Sequence, residues 1–485
     1  MSAPCCEPML MVILGGTGDL SHRMILPALY RLTQQGRLDS KSQILAAGRR
    51  AMPDEEFRKR AMQAIRQEVA GTSADAASSF ARNLHYRQLQ EPYAEYMTSF
   101  GSQIAALEQQ CDLPGNRIFY LALPQDAFAP AAEAIGEAGL ARSSGWTRIV
   151  VEKPFGHDLR SAQQLNALLH RYFNEPQIFR IDHYLGKETV QNLLVLRLAN
   201  PIFETLWNRD RIESVQITVS ESLGIEGRAG FYESAGALRD MVQNHLTQLL
   251  CLVAMEVPGS FGPEAIRDEK VKVLRSVTPV TTASAIFGQY QPGRVDGEPV
   301  VGYREEAGVA PGSNTETFVA LKLGIENWRW QGVPFYLRVG KRMARRLSQI
   351  VIQFRRPPVM IFEPFEGCDV HSNALTIILQ PDEGFNLCFE VKEPGPGIAV
   401  RSQRLHFDYA EAFGPLPSAY ETLLLDIMRG DQILFVRADW LEQSWRLYAP
   451  LLESPPQLQH YTGGTWGPEA AKHLLQPEHG QWLPS

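Results

Sequence analysis

Along the first 180 residues the hydrophobic pattern alternates between two periods. Short apolar runs fall at residues 9–14, 43–47, 84–88, 117–122, 147–151 and 177–180. Between them, residues 20–32, 55–69 and 159–172 place apolar side chains at helical spacing. A strand covered on both faces reads as a continuous apolar run, and strands alternating with amphipathic helices are the pattern of βαβ units with a parallel sheet. Residues 70–79, rich in Ala and Ser, read as a surface connection.

Beyond residue 186 the pattern changes. A strand at 212–220 precedes one long apolar helix over 236–253. Strand candidates then follow closely at 315–325, 334–341, 348–356, 374–380, 386–393 and 402–407. Turn residues such as Pro381-Asp382-Glu383-Gly384 separate them, which predicts hairpins and meanders. Helical spacing returns at 418–428 and 441–452. The expected architecture is an α/β, Rossmann-like dinucleotide-binding domain over residues 1–185. A larger α+β domain with a mostly antiparallel sheet is expected over 186–485.

Composition narrows the function. With 44% hydrophobic residues among 485, the chain is not intrinsically disordered. The balance of 47 Lys+Arg against 54 Asp+Glu gives a net charge of −7, which argues against a nucleic-acid partner. No stretch approaches the ~20 apolar residues that span a bilayer, so no membrane partner is expected. The opening M-S-A-P-C-C-E-P lacks a basic leader region, so a cytoplasmic protein is expected. Six cysteines without C-x-x-C spacing suggest neither a disulfide framework nor a metal site. Adjacent Cys5 and Cys6 read as surplus thiols or as a redox feature.

Four segments carry candidate chemistry. Gly15-Gly16-Thr17-Gly18-Asp19-Leu20-Ser21 follows the first strand and opens a helix, so its backbone could approach a pyrophosphate at the helix N-terminus. Ser21 stands in for the third glycine, and a plain strand–helix turn has the same local pattern. The second strand ends Gly48-Arg49-Arg50, without the carboxylate that accepts from an NAD ribose; arginine suits a 2′-phosphate, so NADP is the expected cofactor. In Arg180-Ile181-Asp182-His183-Tyr184-Leu185-Gly186-Lys187, a helix from Asp182 would put His183 and Lys187 on one face as phosphate donors. Asp182 could alternatively orient a catalytic imidazole, and a capped surface helix fits the same letters. Asp240-Met241-Val242-Gln243-Asn244-His245 lies inside an otherwise apolar helix. Asp240 and Asn244 would share a face, with His245 ~100° around from Asn244. Polar groups in such a helix either line a cavity or are satisfied in the core.

Together these residues resemble the glucose-6-phosphate dehydrogenase family. The likeness runs from Val12 to about Asp431. It takes in G-G-T-G-D-L-S-H-R at 15–23, E-K-P-F-G-H-D-L at 152–159, R-I-D-H-Y-L-G-K-E at 180–188, D-M-V-Q-N-H at 240–245, N-W-R-W-Q-G-V-P-F-Y-L-R-V-G-K-R at 327–342 and Y-E-T-L-L-L-D at 420–426.

The resemblance implies oxidation of glucose 6-phosphate at carbon 1 to the 1,5-lactone with hydride transfer to NADP, the first oxidative step of the pentose phosphate pathway. It implies His245 as the base and Asp182 as its carboxylate partner. His183, Tyr184 and Lys187 match phosphate-binding positions, Glu221 and Asp240 sugar-hydroxyl ligands, and Lys341 and Arg346 basic positions at the substrate pocket. Gly15, Gly18, Asp19, Leu20, Arg49 and Lys153 match cofactor-side positions, and Pro154 a proline held cis. A homodimer or homotetramer is expected.

Three departures stand out. Arg346 replaces a common lysine, Ala229-Gly230-Phe231-Tyr232 differs from the usual pattern, and the segment after Leu89 fits the cofactor side poorly. A dehydrogenase of other hexose phosphates and a non-catalytic NADP-binding sensor are the competing readings. His183 and Lys187 argue against free hexose, and His245, Asp182 and Lys187 against a sensor.

Overall fold

Five consecutive residues without a polar side chain, Leu10–Leu14, form the first strand, β1, and all five are buried. Each side chain so buried contributes ~1.5–3 kcal/mol against the entropy of ordering the chain. The computed structural model describes residues 6–71, 73–362, 370–475 and 481–484, and the chain divides into two units. Cys5 lies outside the described residues, while Cys6 is buried.

The first unit holds the chain up to Lys187 together with Phe261–Arg267 and Pro417–Glu442. Its sheet is built from β1, β2 (Gln43–Gly48), β3 (Leu84–Gln88), β4 (Arg117–Leu121), β5 (Thr147–Val151) and β6 (Ile178–Ile181). These run parallel in the order β3-β2-β1-β4-β5-β6, and the short strand Phe435–Val436 pairs antiparallel with β6. Helices Leu26–Gln34, Asp54–Glu68, Tyr93–Gln110, Phe128–Glu137 and Leu159–Tyr172 make the crossovers. The order reverses between β1 and β4, which opens a crevice beyond their carboxyl ends.

A linear division at residue 185 does not provide for the later segments, and their own contacts show why they join. Ser418 and Glu421 form a capping box at the start of helix Ala419–Arg429. Arg31 bonds Glu421 at 3.2 Å, and Arg148 donates to the carbonyls of Ile427 and Met428 at 2.7 Å each.

The stretch at 70–79 is not simply a connection. Helix Ala74–Arg82 occupies most of it, with the Ser73 hydroxyl accepting from the Ala76 amide. Alanine-rich composition and a serine N-cap favour that helix, and Phe80 anchors it edge-on to Tyr30.

The second unit is centred on a mixed sheet. Its strands are β7 (Ile212–Ser220), β8 (Ala285–Gln291), β9 (Phe318–Leu323), β10 (Phe335–Gly340), β11 (Leu347–Phe354), β12 (Ala374–Gln380), β13 (Gly384–Lys392) and β14 (Val400–Asp408). With Leu458–Thr462 at one edge, the order is β14-β13-β12-β11-β7-β10-β9-β8-Leu458–Thr462. Most neighbours are antiparallel, whereas β7 with β10 and β8 with Leu458–Thr462 are parallel.

The long helix expected over 236–253 is three pieces. Helix Ala229–Ala237 breaks at Gly236 (φ 63°, ψ 174°), Leu238–Leu246 is wound as a π-helix, and Thr247–Ala254 is α-helical.

Candidate active site

In the first unit the glycine loop is shaped by close approach. Gly15 has φ +85°, and a Cβ there would lie 2.0 Å from the Ala122 carbonyl oxygen. Only glycine meets both demands. The loop borders a cavity of about 990 Å³ whose wall includes Gly15, Gly18, Arg49, Glu91, Tyr93 and Asp126. A glycine cradle ahead of a helix, at a strand-order reversal, fits a dinucleotide pyrophosphate.

Asp19 and Leu20 open the following helical segment and are not in this wall; neither is Lys153, which follows β5 at a cis Lys153–Pro154 bond. The segment after Leu89, from which no residue was expected, supplies Glu91, Pro92, Tyr93 and Ala94. Its position beyond the carboxyl end of β3 was the available signal. Burial and the adjacent Glu91 carboxylate push the Tyr93 hydroxyl up to about 12.

Beside Lys153, Glu152 is buried. Its Oε1 accepts from the hydroxyls of Tyr120 at 2.5 Å and Tyr420 at 3.1 Å. Desolvation raises its carboxyl above the ordinary range, although both tyrosines and Lys153 oppose that shift.

Residues 182–187 form tight turns and not the helix that would align His183 with Lys187. The Leu185 amide reaches the Asp182 carbonyl at 3.0 Å, and the Lys187 amide reaches the Tyr184 carbonyl at 3.2 Å. Asp182 Oδ1 accepts from the Tyr184 amide at 3.0 Å, an Asx-type bond that fixes the first turn. Tyr184 packs edge-on to His183 with ring centroids 5.1 Å apart, and Lys187 Nζ stands 4.0 Å from the centre of the Tyr184 ring. The turns therefore cluster an imidazole, an ammonium and a phenol without helical periodicity.

In the second unit, strand register makes the arrangement. Gly340 at the end of β10 pairs with Ser220 at the end of β7, so the next residues, Lys341 and Glu221, are neighbours. The Lys341 ammonium donates to the Glu221 carboxylate, and the Glu221 amide bonds the Gly340 carbonyl at 2.9 Å. Lys341 Nζ also lies 5.2 Å from the centre of the Tyr232 ring. Tyr232 was not among the expected site residues. Burial and the negative charges of Asp240, Glu316 and Glu221 drive its hydroxyl pKa well upward. In the same departure segment, Ala229 packs in the core and Phe231 is exposed.

The π-winding changes the expected faces of the next segment. Five residues are ~140° apart around an α-helix, but i→i+5 bonding widens the turn and brings Asp240 and His245 closer to one face. Asn244 Nδ2 donates to the Arg239 carbonyl at 3.0 Å, five residues back, and its Oδ1 accepts the His245 amide at 2.6 Å. His245 is buried. Arg346 is exposed at the start of β11, and no ion pair or hydrogen bond joins it to Glu221, Asp240 or Lys341 among the described residues.

The sheet order and the glycine cradle define a dinucleotide-binding protein. Residues 12–192 match the family model for the glucose-6-phosphate dehydrogenase NAD binding domain, and 194–483 match that for its C-terminal domain. The glucose-6-phosphate 1-dehydrogenase of Rhizobium meliloti is 46% identical over 490 residues, covering 98% of each chain. That of Treponema pallidum is 43% identical over 488 residues, covering 98% of this chain and 95% of the relative. A solved glucose-6-phosphate dehydrogenase in complex with glucose 6-phosphate superposes with a TM-score of 0.92 at 36% identity over the whole of both chains. The Mycobacterium avium structure gives 0.86 at 35%, covering 99% of this chain and 100% of that one. The chain belongs to the glucose-6-phosphate dehydrogenase family, and its cofactor is a nicotinamide dinucleotide. No helix among the described residues is long and apolar enough to cross a membrane.

Burial makes the Glu152 charge a cost that Glu152→Gln removes while keeping an acceptor for Tyr120. Because its folded pKa is raised, wild-type stability from this group is complete below the unfolded value, about 4.3, and is lost as pH rises through the folded pKa. The melting temperature of Glu152→Gln should therefore gain on wild type as pH rises from 4 to 8, read by thermal denaturation across that range. A constant difference would remove Glu152 as the cause.

Proposed function

We propose that this chain oxidises glucose 6-phosphate at carbon 1 to the 1,5-lactone, with NADP as acceptor. The observation that carries this reading is the match to both family models, which together span residues 12–483 with one residue between them. A nicotinamide dinucleotide bound in the glycine-lined cavity supplies the hydride acceptor. The protein's own task is to hold the sugar and to take the proton from the hydroxyl on carbon 1.

His245 is the proposed base, with Asp182 its carboxylate partner, since a carboxylate-paired imidazole has a proton affinity suited to neutral pH. His183, Tyr184 and Lys187 are the proposed phosphate anchors, and the ring contact that supports the Lys187 ammonium suits that role. Binding energy from a dianion remote from the reacting carbon is available for orientation. Glu221, Asp240 and Lys341 are the proposed contacts to sugar hydroxyls and the pocket, with Arg346 a basic group farther out.

NADP preference rests on Arg49, which stands in the cavity wall at the end of β2. Glu91 lies in the same wall and repels a 2′-phosphate, so the preference measures the guanidinium against this carboxylate.

Three measurements test the reading. Lys187→Ala removes a charge-assisted donor worth ~1.5–3 kcal/mol, so kcat/KM for glucose 6-phosphate should fall roughly 10–150-fold. Equal use of glucose and glucose 6-phosphate by the wild type would end the anchoring role. Arg49→Ala should lower kcat/KM with NADP much more than with NAD; equal losses would remove Arg49 from 2′-phosphate recognition. His245→Asn keeps a polar side chain but cannot take the proton, so kcat should fall at least ~100- to 10,000-fold while glucose 6-phosphate still binds. Near-normal turnover would assign the base elsewhere.

A further inference from the structure

The π-helix that carries Asp240 and His245 starts without a capping residue of its own. Its N-cap is Ala237, whose side chain cannot accept a hydrogen bond, and Gly236 precedes it in a left-handed conformation. The first amides are nevertheless bonded, by a residue about 80 positions downstream. The Ala237 amide donates to the Glu316 carbonyl at 2.9 Å, and the Leu238 amide donates to Glu316 Oε1 at 3.0 Å. The fit leaves no slack at the break: a Cβ on Gly236 would lie 2.3 Å from Glu316 Oε1 and 2.6 Å from its carboxyl carbon.

The segment holding Glu316 is tied on both sides. Thr315 Oγ1 donates to the Glu233 carbonyl at 3.2 Å in the preceding helix. The Thr317 carbonyl accepts the Lys341 amide at 3.0 Å, and the Tyr461 hydroxyl donates to the Lys341 carbonyl at 2.6 Å. One three-residue stretch therefore fixes both the start of the helix bearing Asp240 and His245 and the backbone at Lys341.

We propose that Glu316 is a positioning residue for catalysis, its carboxylate replacing the missing N-cap and setting the phase and axial position of the Leu238–Leu246 turn. This rests on His245 being the base. A carboxylate suits the position twice over, as an acceptor for an otherwise unpaired amide and as a negative charge at a helix N-terminus. Burial works against it by raising the carboxyl pKa, and the nearby Arg239 charge works for it. Reach matters more than charge, because the amide it must meet is fixed by the kink.

The test compares Glu316→Gln, which keeps an oxygen at the same reach, with Glu316→Asn, which is one methylene shorter. Displacement of a reacting group by about 1 Å costs up to ~100-fold, so Glu316→Asn should lose roughly 10–100-fold in kcat with glucose 6-phosphate and NADP. Glu316→Gln should stay within about threefold, because its amide oxygen meets the Leu238 amide at the same reach and holds the helix start in place. Glu316→Asp, equally short but charged, should behave like Glu316→Asn and takes its place if the amide variant does not fold.

A second readout separates positioning from general destabilisation. In a His245→Asn background the short variant should add less than about a twofold further loss, because residues acting as a unit are not additive. Wild-type kcat in the short variants, equal losses in Glu316→Gln and Glu316→Asn, or a full additional loss in the His245→Asn background would each overturn the proposal. High turnover by His245→Asn alone would instead strike the base assignment, while the Gln–Asn comparison still reads the reach of residue 316.

Discussion

A strand buried on both faces leaves little place for an unpaired charge, and that constraint decides where chemistry can sit in each unit. Five of the charged groups with proposed roles stand just past the carboxyl ends of parallel-paired strands. Arg49 follows β2, Lys153 follows β5 and Asp182 follows β6. In the second unit Glu221 follows β7 and Lys341 follows β10. Two buried arginines that lie within strands are held by neighbouring groups. Arg180 in β6 holds the Glu175 carboxylate and the Val436 carbonyl. Arg338 in β10 faces the rings of Trp466 and Trp482, donates to the Pro484 carbonyl, and is pushed down to about 9 by burial. Both are held within their strands.

The parallel pairing of β7 and β10, within a sheet that is otherwise mostly antiparallel, has a consequence for the site. Antiparallel neighbours bring the carboxyl end of one strand beside the amino end of the next. Parallel pairing puts two carboxyl ends side by side, and the register Gly340 to Ser220 then places Lys341 against Glu221 without any help from loop conformation. The pair is a property of the sheet, so its geometry is as rigid as the ladder that holds it.

Sequence alone conveyed the strand ends well, because a strand that stops at a charged residue changes period visibly there. The strand–helix alternation of the α/β unit, the Ile212–Ser220 strand, the glycine loop at Gly15 and the strand end before Arg49 could be read from the pattern, whereas Glu221 and Lys341 were expected only from the family resemblance. Three features were not legible. The turns at 182–187 look helical because His and Lys four apart match helical spacing, whereas the Asx-type bond from Asp182 to the Tyr184 amide favours a turn. The cavity wall at Glu91–Ala94 spans the end of a short loop and the first residues of helix Tyr93–Gln110, too few positions for a period to be read. The π-winding of Leu238–Leu246 leaves no mark in the letters, because a helical apolar pattern looks much the same for either winding over nine residues.

That first turn also shows why a distant cap can serve better than a local one. A serine or aspartate at position 237 would satisfy an amide, but it would fix the helix only relative to its own preceding residue. Glu316 stands two residues before β9, and β9 pairs with β10 through Phe318 and Gly340, the residue before Lys341. Bonding the helix start to Glu316 therefore refers Asp240 and His245 to the same ladder that sets Glu221 and Lys341. The Gly236 break is what allows this reference, since only a residue without Cβ lets the carboxylate come so close to the bend. Side chains from two strands and one helix thus share a single frame.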